Sequence, residues 1–261
     1  MLEPSFLLAD PTFYAVAIPA VILVGLSKGG LGGAAALMGV PIMALAMHPV
    51  QAAAILLPIL IVMDVFALWT WRHWRDALTL KIMLPGAMVG IGLGLLTAAY
   101  VSADSVRLIV GLVAIAFVMR WAWQTLALGR GNKSPHNRLI GSWWSMIAGF
   151  TSFVAHAGGP PYQVYAMRLG QDPKLYTGTA AIFFAAVNAV KLVPYFALGL
   201  FDTTNLAASA ILMPIAPVAT LAGAWIVRRM KPEFFYPFMY IMILLVGLKL
   251  VWDSVIAFWP G

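Results

Sequence analysis

The sequence predicts an all-α polytopic membrane protein built from two inverted-topology repeats, each a broken-helix hairpin plus three transmembrane helices. Three observations predict it: an excess of apolar residues, two long apolar stretches interrupted by glycine or proline, and loop charges that alternate along the chain. Of the 261 residues, 62% are hydrophobic and 10% charged. Soluble domains are about 45–50% apolar and about 25% charged. Surface area grows too fast relative to volume for a water-soluble globule of this length to hide so much apolar matter. Lipid is the solvent that tolerates it.

The first repeat, residues 1–129, opens with a stretch from Phe13 to Met47 broken by Leu26-Ser-Lys-Gly-Gly-Leu-Gly-Gly33. It is too long for one crossing, and glycine at its centre weakens the helical ladder. Two short helices meeting at a turn near mid-membrane fit it best, with the turn buried in protein or lining a cavity. Three spans follow, Val50–Trp71, Ile82–Tyr100 and Val106–Leu128. The first of them makes about 33 Å of helix at about 1.5 Å per residue, enough for a hydrocarbon core of about 30 Å.

The second repeat, residues 138–261, has the same plan. Its hairpin, Leu139–Leu169, is broken by His156-Ala-Gly-Gly-Pro-Pro161, and its spans are Tyr176–Leu198, Leu206–Val227 and Phe234–Trp259. Pro194, Pro214 and Pro217 predict kinks in these spans.

Loop charges orient the chain by the positive-inside rule. The basic loop Arg72–Lys81 is cytoplasmic, and so are the central linker 129–138, with Arg130, Lys133 and Arg138, and the turn carrying Arg228, Arg229 and Lys231. The loops holding Asp104 and Asp202 lie outside, as do both termini; the N-terminal charges are Glu3 and Asp10. Each broken stretch then starts and ends on one face, the two from opposite faces, which makes both hairpins and the halves inverted. Internal matches agree: Gly32-Gly33 with Gly158-Gly159 at an offset of 158 − 32 = 126, and Pro85 with Pro214, Gly94 with Gly223 and Asp104 with Glu233 at 129. No Lys or Arg precedes the first apolar run, unlike a cleaved signal peptide. The expected location is the cell inner membrane, multi-pass. A homo-oligomer is left open.

Several function classes are disfavoured. The net charge of +7 is accounted for by cytoplasmic loops, so no nucleic-acid partner is expected. The absence of cysteine excludes disulfides, thiolate metal sites and cysteine nucleophiles. His48, His73, His136 and His156 are scattered without HExxH spacing, and no Walker motif is present. No metal, cofactor or catalytic residue is expected. Ser27 beside Lys28 resembles a Ser–Lys dyad only superficially, since adjacent turn residues rarely face each other. The ten tryptophans cluster near span ends as an interfacial belt.

Inverted repeats with broken helices place a substrate site at the repeat interface. The second half-helix of each hairpin starts near Gly32-Gly33 or Gly159-Pro160. Two such N-termini, with unpaired N–H groups and positive dipole ends, suit an anion. Lys28 lies inside the first turn, where an ammonium costs about 2.5–3.5 kcal/mol on insertion scales; an anionic substrate would offset it. His156 holds a comparable place in the second turn, either donating to substrate and titrating or bonded as a neutral imidazole to a turn carbonyl. Asp64 is a candidate proton carrier or partner for Lys28 or Lys191. Asn188 and Lys191 are further coupling candidates, although Asn188 more often cross-links helices and Lys191, like Asp64, lies near enough to a span end to reach headgroups or a loop, Lys191 most of all beside Pro194. Ser27, Thr151, Ser152, Tyr162 and Gln163 are polar groups near the turns.

The stretch Gly25-Leu-Ser-Lys-Gly-Gly-Leu-Gly-Gly-Ala-Ala-Ala-Leu-Met-Gly-Val-Pro41 resembles the signature of the TauE/SafE sulfite-exporter-like permeases. Gly149-Phe-Thr-Ser-Phe-Val-Ala-His-Ala-Gly-Gly-Pro-Pro161 resembles the family's second copy, departing from its glycine run at His156 and the Pro160-Pro161 pair. The resemblance implies transport of sulfur-containing anions such as sulfite, sulfoacetate or other organosulfonates. By carry-over it implicates Ser27, Lys28, Gly29, Gly30, Gly32 and Gly33, with Ser152, His156, Gly158 and Gly159. The expected function is secondary transport of a small sulfur-containing anion by rocking one repeat against the other. Proton coupling through His156 or Asp64 and passive exchange both stay open. A small-carboxylate transporter or an anion channel is the alternative, and an intramembrane enzyme is the least favoured.

Overall fold

The computed structural model describes residues 10–31, 36–97, 100–127, 134–197 and 202–258. Among them every regular element is helical. The helices are α1 (Pro11–Leu26), α2 (Gly39–Met43), α3 (Pro49–Trp71), α4 (Ala77–Thr97), α5 (Ala103–Ala122), α6 (Arg138–Ala155), α7 (Gly159–Ala166), α8 (Pro173–Ala197), α9 (Thr203–Leu212), α10 (Ile215–Arg229) and α11 (Pro232–Phe258). A wider π-type turn, Ser27–Leu31, extends α1, and another, Trp123–Ala127, extends α5.

Short polar residues before the apolar runs start these helices by accepting otherwise unpaired N–H groups. The Asp10 side chain accepts from Thr12 N–H at 2.8 Å, Asn137 from Ile140 N–H at 3.0 Å, and Asp202 from Asn205 N–H at 2.8 Å. Ser102 accepts from Ser105 N–H at 3.3 Å.

Six stretches are long and apolar enough to cross a membrane: Pro11–Leu31, Val50–Trp71, Ala77–Thr97, Asp104–Thr125, Pro173–Pro194 and Pro232–Phe258. Counted as one span, the bent pair α9 and α10 makes a seventh among the described residues. The chain is an all-α, multi-pass membrane protein.

Three local features differ from the expectation. The span read as Leu206–Val227 is two helices bent by 47°, because Pro214 has no N–H to give the preceding turn. The span read from Ile82 starts at Ala77, where Asp76 caps it, so Lys81 lies within the helix. The arms read as paired short helices are unequal. α1 with its π-type turn is long enough to cross, and α6 has 18 residues, while the returning arms α2 and α7 have 5 and 8. The breaks fall where glycine and proline accumulate, and that is the far end of each first arm.

After each break the chain doubles back. Ala36 N–H donates to Ser27 Oγ at 3.0 Å, and a Cβ on Gly39 would lie 2.5 Å from Val24 Cγ2. Beyond the second break, Tyr165 Oη accepts from Asn137 N–H at 3.3 Å, beside the start of α6.

Close packing of small residues then fixes the long arms. α6 lies on α4, where a Cβ on Gly90 would sit 2.0 Å from Met146 O and one on Gly149 2.1 Å from Ala87 O. α1 lies on α10, where a Cβ on Gly29 would sit 2.2 Å from Thr220 O and one on Gly223 2.3 Å from Leu26 O. Without side chains in the way, backbones approach closely enough for strong dispersion contact. α3 packs on α8 through the middle, and α5 pairs with α11 at the periphery.

At the end carrying the Arg72–Lys81 loop, Asp76 gathers several segments. Its carboxylate accepts from the Thr79 hydroxyl at 2.6 Å, from Gln171 Nε2 at 2.5 Å, and from Leu78 and Thr79 N–H, with His136 Nε2 at 3.3 Å. Asp76 N–H donates to Thr179 Oγ1 at 2.8 Å. Burial works against the ionised form, but the Thr79 hydrogen bonds and the His136 charge outweigh it, and the carboxyl stays below its ordinary value of 3.8.

Two outcomes are expected. Gly90→Ala lowers stability by about 1–3 kcal/mol through overpacking. Gly92→Ala, where an added Cβ meets nothing within 4 Å, is neutral or stabilises by up to about 1 kcal/mol; thermal melts of detergent-purified protein compare the two. Because the Asp76 carboxyl is depressed in the folded state, its contribution is present above about pH 4 and lost as pH falls through the folded value. The acid limb of a melting-temperature profile is therefore shallower for Asp76→Asn than for wild type.

Candidate functional site

The first turn has its backbone tied from two sides. Ser27 Oγ holds the returning chain at Ala36, and the Gly29 carbonyl accepts from Trp71 Nε1 at 3.0 Å. Gly30 has φ 136°, a left-handed conformation that glycine adopts without a Cβ penalty. Gly29 is pressed against α10, facing away from the space between the hairpins.

Lys28 reaches the other way. Its Nζ donates to Asp64 Oδ1 at 2.5 Å and lies 5.8 Å from the centre of the Phe184 ring. Asp64 is buried, 3% exposed, and its second oxygen accepts from Asn188 Nδ2 at 2.6 Å. This bridge runs from the first turn through α3 to α8.

The second turn begins where α6 ends in a left-handed His156, φ 54° and ψ 22°. Ala157 N–H closes back on Thr151 O at 3.0 Å, satisfying one of the helix's last carbonyls. Thr151 Oγ1 also donates to Ile147 O at 2.8 Å, so this hydroxyl serves the backbone. Gly158 packs against Ala148 and Ser152. Lys191, 1% exposed, donates from α8 to Ser152 O at 3.1 Å and to Ser152 Oγ at 3.3 Å.

Between the turns lies a cavity of about 90 Å³. One water needs about 10–15 Å³, so it admits several waters or one compact anion. From the first turn it is lined by Ser27, Lys28 and Gly30, and from the second by Ser152, His156, Gly158 and Gly159. Tyr162 and Gln163 of α7 and Asn188 and Lys191 of α8 complete its polar wall. Asp64 is held just behind, by Lys28 and Asn188. Gly32 and Gly33 lie outside the described residues.

Two placements bear on the sequence reading. Of the two readings of Lys191, coupling candidate or a side chain reaching the outer loop, the inward one holds, since its helix presents that face to Ser152 of the second hairpin. The N-terminus of α7 offers little to an anion: Pro160 and Pro161 have no N–H, and Tyr162 N–H is bonded to Gly158 O at 3.3 Å, leaving Gly159.

Phe184, Tyr176 and Thr177 also line the cavity and were not singled out. Their signal was present: Thr177, Ala181, Phe184, Asn188 and Lys191 recur at three- and four-residue steps, one face of a helix. Tyr162 Oη and Thr177 Oγ1 are buried on this wall without a hydrogen bond. Buried polar atoms left so are uncommon, and a cavity that takes a polar ligand or water accounts for them.

The electrostatic balance is uneven. Lys28 has the Asp64 carboxylate; Lys191 has only neutral oxygens, and no ion pair joins it to a carboxylate among the described residues. With both lysines protonated, two ammonium groups against one aspartate would leave one positive charge at the cavity.

The model of the family described as "Sulfite exporter TauE/SafE" matches residues 17–250. The chain belongs to the TauE/SafE family. The match takes in both turns and the whole cavity wall. TauE/SafE is a family of membrane transporters, and by family this chain is one. No curated protein and no solved structure matches it.

Breaking a buried ion pair from one side leaves a charge stranded, at about 3–5 kcal/mol. Lys28→Met and Asp64→Asn are each expected to lower the melting temperature, and the double variant to recover most of the Lys28→Met loss. Purely additive losses in a double-mutant cycle would show that the two side chains act independently.

Proposed function

We propose that this protein is a secondary transporter of a small sulfur-containing anion, sulfite or a short organosulfonate, bound in the cavity between the two turns. The observation that carries the proposal is Lys191: a buried amine, facing a cavity, whose partners among the described residues are neutral oxygens. An ammonium taken out of water without a counter-charge is costly, and an anion in the cavity supplies the missing charge. Lys28 faces the same space from the other hairpin and would share the anion while keeping Asp64 as its own partner. Gly159 N–H and the Tyr162 and Thr177 hydroxyls would complete its hydrogen bonds. The sulfur chemistry of the cargo comes from the family.

Movement by inverted repeats is part of the same proposal. In its support, the helix pairs are reciprocal: the long arm of each hairpin packs on the second span of the other half, α1 on α10 and α6 on α4, while α3 pairs with α8 and α5 with α11. Gly94 and Gly223, matched in sequence, both sit at these contacts, against Phe153 and Leu26. The basic end, with Arg72, Arg228 and Arg229, would face the cytoplasm, and both termini would then lie on the outer side.

Asp64 is the coupling candidate this geometry favours. A proton on its carboxylate would free Lys28 and leave two cations for the anion, so protonation and anion binding would reinforce each other.

Proteoliposome flux of labelled sulfite, with short sulfonates and acetate as competitors, tests the proposal. Lys191→Met removes the unmatched charge and leaves behind no counter-charge, only the neutral Ser152 oxygens, so the variant is expected to melt close to wild type while losing at least about tenfold in anion affinity. Undiminished sulfite flux in Lys191→Met would sink the assignment of the site. Acetate competing as well as sulfite would point to a carboxylate carrier instead.

A further inference from the structure

We propose that a second site, a basic groove between the ends of α3 and α10, binds the phosphate headgroup of an anionic phospholipid. The groove encloses about 530 Å³ and is separate from the cavity between the hairpins. Three guanidinium groups converge on it. Arg228 Nη2 donates to Thr70 O at 2.6 Å, with the guanidinium 5.3 Å from the Trp71 ring centre. Arg229 Nη1 donates to Trp225 O at 3.2 Å and lies 3.9 Å from the Trp225 ring centre. Arg72 Nη1 donates to Trp69 O at 3.0 Å and stands 5.5 Å from the Trp69 ring centre.

The positive-inside tendency and the α10 dipole account for arginines at this end of the bundle. They do not account for the convergence. Each guanidinium is held by a backbone carbonyl and an indole face, and none forms an ion pair with a carboxylate among the described residues. A guanidinium has five N–H donors in a fork that matches phosphate, and each of these three has donors left over.

A phosphate could arrive on a lipid or free in solution. The surroundings favour the lipid. Trp69 and Trp225, 62% and 58% exposed, flank the groove as amphipathic rings do at headgroup level. Leu221 lies one turn below Trp225 on the groove wall, and Val65 and Val218 are exposed further along the same two helices. That apolar track would carry an acyl chain away from the headgroup.

Native mass spectrometry of the full chain in detergent, titrated with phosphatidylglycerol, cardiolipin or phosphatidylcholine, tests the site. The expected result is retained adducts with the two anionic lipids over phosphatidylcholine. Each arginine near a charged membrane surface contributes about 1 kcal/mol, or about fivefold. Arg72→Gln and Arg229→Gln together are therefore expected to weaken the adducts about 25-fold. Arg228 is left intact because it also holds Thr70 and Trp71 in place. An unchanged melting temperature in the double variant shows that it is folded. Adducts that survive the double substitution, or equal retention of phosphatidylcholine, would overturn the proposal. Displacement of the lipid by millimolar inorganic phosphate or pyrophosphate would also overturn it, in favour of a soluble anion.

Discussion

A backbone that leaves helical geometry within a bilayer must still satisfy its N–H and C=O groups, because lipid offers none in exchange. Here the partners come from close approach. α1 reaches α10 and α6 reaches α4 across contacts with no room for a side chain at Gly29, Gly223, Gly90 or Gly149. Those contacts press the broken segments into protein, where Trp71 can donate to the Gly29 carbonyl and Ala157 to that of Thr151. The cavity exists because both turns are held this way with their polar side chains facing the same space.

What fills that space electrically is asymmetric. Lys28 and Asp64 neutralise one another across the first turn, and Asn188 fixes the second carboxylate oxygen so that the pair keeps one geometry. Ion pairs buried like this gain little net stability over apolar packing. The anion proposed for the cavity would give these charges a third group to act on, and Lys191, bonded to neutral oxygens of the second turn, is the one it would serve most.

Much of this was legible in the residues, and the exceptions are physical. Membrane class, the two interrupted stretches, and Ser27, Lys28, Ser152, His156, Tyr162 and Gln163 as groups near one site follow from composition, glycine spacing and polarity. The direction a glycine faces does not: Gly29 and Gly30 are neighbours, yet one packs on α10 and the other lines the cavity. Lys191 could reach inward or toward the outer loop by its distance from a helix end, and only the face its helix turns to Ser152 decides between them. Pro214 pointed to a kink, but whether it bends a span or divides it depends on what packs against both halves. Phe184 lies on the face that Asn188 and Lys191 mark at helical spacing, but an aromatic in an apolar span stands out only once that face is known to line a cavity.

Asp76 joins the α3–α4 loop, the segment before α6, the α7–α8 loop and the first turns of α8 through one carboxylate and one N–H. Mechanically that makes the basic end a latch. Apolar helix faces slide past one another with resistance spread over many weak contacts, but these segments separate only when several directional bonds let go together. Any separation at this end would have to break those bonds together, at the loops rather than at the cavity.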